Sequence, residues 1–300
     1  MANRLLLLTL LPILSCGGGP PQFDGEAAYR HLVAQCELGP RNPGSEGHER
    51  TIEYLTTHLE RCAHTVSCQD FNFTDEKLDS TFKLTNILAS FYPKEPGRIL
   101  LCAHWDTRPK ADREEEPAKR ERPILGANDG ASGVAVLLEL ASILRLRKPN
   151  YGVDIALFDG EDYGEEGHLD YYLLGSTHFA QNLGRTKYIY GILLDMVGDK
   201  DLAIKIEGHS LHYAPLLVQL IWSKARELGL EEFCAGLGPT VLDDHVPLNF
   251  AGIPTVDLID FDYPYWHTLE DTPDKCSSAS LKAIGDLLVA LIYSSSHKVP

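Results

Sequence analysis

Seven short apolar runs alternate with helix-like segments along this chain, and that alternation leaves few architectures open. The runs span Val66–Phe73, Phe82–Phe91, Arg98–His104, Val153–Phe158, Ile189–Met196, Leu202–Ile206 and Pro254–Ile259. Several are nearly continuous in hydrophobic residues, the pattern of strands covered by helices on both faces. Helical spacing of apolar residues appears over Glu26–Cys36 and Glu46–Cys62 (Tyr54, Leu55, Leu59), on either side of the turn GPRNPGS. Further helices fit Gly133–Leu146, Gly175–Asn182, His212–Leu228 and Ser278–Ser294. The expected fold is a three-layer α/β/α sandwich around a mixed, mostly parallel central sheet. A chain of 300 residues, 44% hydrophobic and 23% charged, supports one well-buried core, expected over residues 25–300, with no internal repeat.

The formal charge of −16 and pI near 5.1 oppose binding to a polyanion, so nucleic acid is not an expected partner. At the N-terminus a lone Arg4 precedes the apolar run Leu5–Leu14, then Ser15, Cys16 and a Gly/Pro tether over residues 17–24. The run is too short to span a bilayer and suits a secretion signal. A small residue before Cys16 resembles a bacterial lipoprotein signal over residues 1–16, which implies export and a lipid anchor on that cysteine. An ordinary cleaved signal with an incidental cysteine is the alternative. Among the other cysteines, Cys62 and Cys68 are the only close pair, and whether they bond stays open; nothing resembles a structural zinc knuckle.

In open α/β sheets the active site forms at the carboxyl ends of the strands. Polar residues gather there in this chain. LLCAHWD closes a run with His104 and Asp106; ILGANDGASG sets Asp129 in a Gly-rich turn before a helix; IALFDGEDYG ends in Asp159, Glu161 and Asp162; GILLDMVGD ends in Asp195; and DLIDFDYPYWHTLED delivers His267. One strand-end Asp is usually a turn former or cap. Five such sites that supply only imidazole and carboxylate point instead to a metal centre, with zinc the natural occupant. Adjacent Glu161 and Asp162 can point different ways, so one can bind metal while the other stays free for proton transfer. The charged stretch Arg108–Pro123 reads as a solvated surface loop.

The phrases GPRNPGS, AHWDTRP, GANDGASGVAVLLELA, FDGEDYG and YWHTLED, taken together and in order, resemble the M28 family of zinc aminopeptidases and glutaminyl cyclases. The resemblance runs from about Tyr29 to the last helix. It implies that Asp129, Asp162 and His267 hold zinc and that Glu161 is the general acid/base. In the two-metal peptidases of that family His104 and Asp195 complete a second site, with Asp129 as the bridge. In the cyclases one zinc is held, and the Asp195 position assists catalysis. Trp266 before His267, Asp243 in VLDDHVPL, and Asp257 are similar to the cyclase branch in its bacterial form. The resemblance places Asp243 in a catalytic hydrogen-bond chain and Trp266, Tyr172 and His245 against substrate. Tyr172 departs from the bacterial pattern, which tends to carry a tryptophan there. The implied reaction is cyclisation of an N-terminal glutamine to pyroglutamate with loss of ammonia. Its rival is two-zinc hydrolysis of the first peptide bond. A binding protein built on a dead enzyme fold would show substituted ligands or a missing acid/base, and neither is seen.

Overall fold

A computed structural model of the chain describes residues 20–165 and 167–293. The signal-like residues 1–16 and the first part of the tether lie outside the described residues. Two helices open the fold, each started by a side chain that accepts from an otherwise unpaired backbone N–H. Asp24 caps α1 (Gly25–Glu37), and Ser45 caps α2 (Glu46–Cys62). A long antiparallel hairpin follows, β1 (Thr65–Asp75) and β2 (Ser80–Phe91). The remaining strands of the main sheet are β3 (Arg98–His104), β4 (Gly152–Phe158), β5 (Tyr188–Asp195) and, after two short strands, β8 (Thr255–Ile259).

The six-stranded sheet runs in the order β1-β2-β4-β3-β5-β8. Its last four strands are mutually parallel, while β2 lies antiparallel to both β1 and β4. Side chains of β3 alternate between two apolar layers, as pleating requires. Ile99, Leu101 and Ala103 face the larger core, and Leu100 and Cys102 face the smaller. On the larger side lie α1, α2, α3 (Ala131–Leu146), α6 (Pro215–Leu228) and α8 (Ser278–Tyr293). On the other side lie α4 (Leu174–Gln181) and α7 (His245–Phe250), which contribute Phe179 and Leu248. The three-layer reading of the sequence holds.

Apolar nearly all round, α3 is buried nearly all round, between the sheet and α1 and α8. Gly133 lets it come that close: a Cβ there would stand 2.2 Å from the Leu194 carbonyl oxygen of β5. The close approach brings the turn before α3, with Asp129, to the end of β5, with Asp195.

Three local expectations differ from the structure. The helix expected over His212–Leu228 is two helices, α5 (Gly208–Tyr213) and α6, broken at Ala214 (φ −131°, ψ 49°). Pro215 causes the break, because proline has no N–H and pushes the preceding residue out of the α region. The run Leu202–Ile206 shortens to β6 (Ile204–Ile206) and pairs outside the main sheet, with β7 (Phe233–Leu237). Neither β7 nor α7 was expected. The six described cysteines are all free; Cys62 faces α3 through Ser142, whereas Cys68 is exposed on β1.

Candidate metal centre

Because β3, β4, β5 and β8 are parallel, their carboxyl ends open on one edge of the sheet, and the polar residues that follow them converge there. Asp129, Asp162 and His267 form one cluster and His104, Asp129 and Asp195 a second, the ligand atoms of each lying within 4.8 Å of one another. Asp129 belongs to both. Its Oδ1 stands 3.2 Å from His104 Nε2 and its Oδ2 stands 3.7 Å from His267 Nε2. In the first lobe His267 Nε2 is also 3.3 Å from Asp162 Oδ1; in the second, His104 Nε2 is 3.1 Å from Asp195 Oδ1. His267 reaches the cluster from a left-handed backbone conformation (φ 58°), which costs a non-glycine residue on the order of 1–3 kcal/mol.

The donors suit a dication. Asp129 Oδ2 and Asp162 Oδ2 are buried and have no hydrogen-bond partner, an arrangement that costs a carboxylate dearly unless a cation completes it. Two carboxylate oxygens and one imidazole nitrogen form a three-protein-ligand set with a coordination position left for substrate or water. The same shortage of positive charge appears in the titrating groups. Burial raises the Asp129 carboxyl, and the Asp162 charge raises it further. Burial opposes a charged His267, yet Asp162, Asp112 and Asp129 outweigh it and lift the imidazole to about 9.

Outer contacts aim the ligands. Asp271 accepts from the backbone N–H groups of Asn128 (2.8 Å) and Asp129 (3.2 Å) and from the Tyr263 hydroxyl (2.8 Å). Asp106 accepts from the N–H groups of Glu161 (3.1 Å) and Asp162 (3.3 Å), which fixes the turn that carries both. Arg41, wholly buried in the GPRNPGS turn, donates to the carbonyls of Trp105, Leu125 and Gly126 and so ties the His104 segment to the Asp129 segment.

The stretch Arg108–Pro123 is solvated only in part. Its first residues turn inward: Arg108 donates to Asp162 Oδ1 (2.7 Å) and to Asp112 Oδ2 (2.6 Å), and Asp112 Oδ1 lies 3.2 Å from His267 Nδ1. A carboxylate on the far nitrogen of a ligating imidazole sets its tautomer and orientation. Asp112→Ala is therefore expected to weaken zinc affinity about 10- to 100-fold in competition with a chromophoric chelator. An unchanged affinity would remove Asp112 from that role.

Beside the cluster opens a cavity of about 340 Å³, lined in part by Asp129, Glu161, Asp162, Asp195 and His267. Glu161 belongs to neither ligand set, its Oε2 lying 4.0 Å from His104 Nδ1, and its carboxyl stands well above the ordinary value through burial and the charges of Asp162, Asp243 and Asp244, with His104 pulling the other way. Trp266 lines the cavity, its ring 3.9 Å from the His267 ring and under the Arg113 guanidinium. Tyr172 forms another wall, with its hydroxyl accepting from Arg108 at 3.0 Å. Asp243 lines the cavity too, its carboxyl raised to about 8 by burial and by Asp195 and Asp244. His245 does not line it. That ring is buried behind Asp243, 3.0 Å from Glu207 Oε2 and 3.8 Å from Asp257 Oδ2.

Sequence reasoning gave no role to Arg41, Arg108, Asp112 or Asp271. Arg108 and Asp112 follow directly on a strand-end acid, a signal that the charge of the longer stretch hid. Arg41 and Asp271 sit among turn formers and carry no local signal.

Residues 86–292 match Peptidase family M28, and the chain belongs to that family. In structure it is similar to the glutaminyl cyclase of Bacteroides thetaiotaomicron bound to N-acetylhistamine, at 36% identity and a TM-score of 0.89 over 93% of this chain and 100% of that one. It is as similar to a leucine aminopeptidase precursor from Bacteroides thetaiotaomicron, at 36% identity and a TM-score of 0.89 over 93% of this chain and 99% of that one. In sequence it is 22% identical over 291 residues to the glutaminyl-peptide cyclotransferase of Bos taurus, covering 86% of this chain and 79% of that protein.

Proposed function

We propose that the protein is a glutaminyl-peptide cyclotransferase that uses one zinc ion to convert N-terminal glutamine to pyroglutamate with release of ammonia. The observation that carries this reading is an asymmetry between the two lobes. In the second lobe His104 Nε2 is already within hydrogen-bonding distance of Asp195, and close to Asp129 Oδ1. In the first lobe Asp129 Oδ2 and Asp162 Oδ2 have no hydrogen-bond partner, and the nearest ring nitrogen to Asp129 Oδ2, His267 Nε2, stands 3.7 Å away. One metal held by Asp129, Asp162 and His267 would satisfy both oxygens. The 36% identity to a glutaminyl cyclase over nearly the whole chain supports the same reading.

Zinc held there would act as a Lewis acid toward a carbonyl oxygen. The chain's own groups supply the remainder. The cavity positions the substrate's α-amine near its γ-carbonyl carbon, where Trp266 and Tyr172 offer flat faces to the glutamine side chain. Glu161 takes a proton from the amine as the new C–N bond forms. It then returns that proton to the departing amide nitrogen as the old C–N bond breaks, and ammonia leaves. Asp195 and Asp243, which also line the cavity, hold the reacting nitrogens by accepting their hydrogens. No water enters the balance.

The second reading, two-zinc hydrolysis of the first peptide bond, draws on the bridging position of Asp129 and on the equally similar leucine aminopeptidase precursor. Mass spectrometry of a Gln-initiated and a Leu-initiated peptide separates the two. Loss of ammonia from the Gln peptide alone is expected; release of free Leu or Gln would replace the cyclase by the peptidase. The apolar run Leu5–Leu14 before Cys16 supports export, with lipid attachment at that cysteine, so the substrates would be peptide and protein N-termini outside the cytoplasm.

A further inference from the structure

A second cavity, about 700 Å³, lies on the α4–α7 side of the sheet beside the first. The two share three lining residues, Leu169, Tyr172 and Leu242. Tyr172 is thus a wall with the acid cavity on one side and the second groove on the other. The groove has an aromatic floor, where Phe71 of β1 stacks on His178 of α4 with ring centroids 4.4 Å apart and planes 9° apart. Val246, Pro247 and Phe250 of α7 form the far side. Its rim is apolar and exposed: Leu169, Leu242 and Phe250 are 65%, 44% and 72% accessible. Contiguous apolar surface of this kind at the mouth of a reaction cavity marks a binding surface. The volume falls within the roughly 300–1,000 Å³ typical of ligand sites.

We propose that this groove receives the apolar side chains of the substrate peptide that follow its N-terminal residue. The proposal rests on the cyclase reading only for the identity of that first residue. Continuity names the occupant: a chain whose first residue fills the acid cavity can leave past Leu169, Tyr172 and Leu242 into the groove, whereas the way past Arg108, Asp112 and Arg113 leads to a charged hollow lined by Lys110, Arg120, Glu121 and Glu165 that offers an apolar side chain little to pack on. Among the described residues Asp170 is the one acid in the lining, and no lysine or arginine is there to meet an acidic side chain. With −16 on the protein as a whole, acidic residues at these positions are disfavoured and apolar or aromatic ones favoured. The described ends of the chain do not compete for the groove, since α1 and α8 pack on the opposite face of the sheet.

The test is binding to the zinc-loaded protein carrying Glu161→Gln, which slows turnover, measured before any product forms. The probes are the peptides Gln-Ala-Phe-Leu-Ala and Gln-Ala-Ala-Ala-Ala, each measured with and without an added Phe250→Ser. The Phe-Leu peptide is expected to bind about tenfold more tightly, and Phe250→Ser to erase most of that preference while the all-Ala peptide changes little. Because Phe250 is exposed, its replacement does not threaten the fold. Equal affinities, or a preference that survives Phe250→Ser, would overturn the proposal. A concentration-dependent dimer abolished by Phe250→Ser would also overturn it, by giving the groove to a second copy of the chain. The reaction is judged separately by its product, so a peptidase outcome would leave the groove result intact.

Discussion

Glu161→Gln is expected to lower kcat by about 10²- to 10⁴-fold while the purified protein keeps its zinc. Gln keeps the size and hydrogen-bonding reach of Glu but cannot carry a proton from one nitrogen to another. The metal is retained because Glu161 is not among the ligand atoms of either cluster. Its carboxyl nevertheless opens on the cavity beside Asp129 and Asp162, and burial with neighbouring acids raises its affinity for a proton. Rate and metal content together decide the matter. A loss of rate that tracked loss of zinc would make Glu161 a ligand, and full activity would remove it from the chemistry.

Chelation of the metal is expected to lower the melting temperature and to make it fall further as pH rises. The residues responsible are buried acids whose folded-state values are raised: Asp243 to about 8, Asp244 to about 7 and Asp271 to about 7, each from 3.8, through burial first and then through neighbouring carboxylates. A raised folded value means that the folded protein binds protons the unfolded chain has released. The associated stability is complete below the unfolded value and is withdrawn as pH climbs from there through the folded ones, here between about pH 4 and 8. A dication held beside these carboxylates by Asp129, Asp162 and His267 would offset the repulsion, so the zinc-loaded protein should follow a flatter curve. Calorimetry of chelated and zinc-loaded protein across that window should show the gap in melting temperature widening by on the order of 5–10 °C. Parallel curves would mean that the acids are compensated without metal.

The four parallel strands of the main sheet were legible because they are buried on both faces and therefore read as nearly unbroken apolar runs, which end where the polar residues begin. By contrast β7 was hidden: three of its five residues are exposed, and its short run FCAGL is interrupted by Gly236 and followed at once by Gly238 and Pro239. The helix α7 is six residues long with a proline inside, too short for any helical period to show. His104, Asp129, Glu161, Asp162, Asp195 and His267 were all legible as strand-end or turn residues. Their division into lobes followed only from the family resemblance of the motifs, since in the structure it depends on how closely α3 approaches β5 at Gly133. Asp112 was lost inside a run of charges, because composition cannot reveal that one carboxylate of a surface loop faces inward to an imidazole. His245 shows the converse: a histidine beside a cavity-lining acid in the sequence lies behind it in space, held by Glu207.

Asp129 lends one oxygen to each lobe, and this has a consequence for how such chains diversify. Moving from one chemistry to the other needs no new ligand, only a change in what His104 and Asp195 prefer as company: each other, or an ion. Small shifts in the turns that carry them could tip that preference while every residue of the ligand inventory stayed in place. Proteins alike in inventory can then carry different activities under similar sequences, and a roster of ligands will not sort them. On the one-zinc reading, what would sort them is whether one imidazole keeps its hydrogen bond or takes an ion.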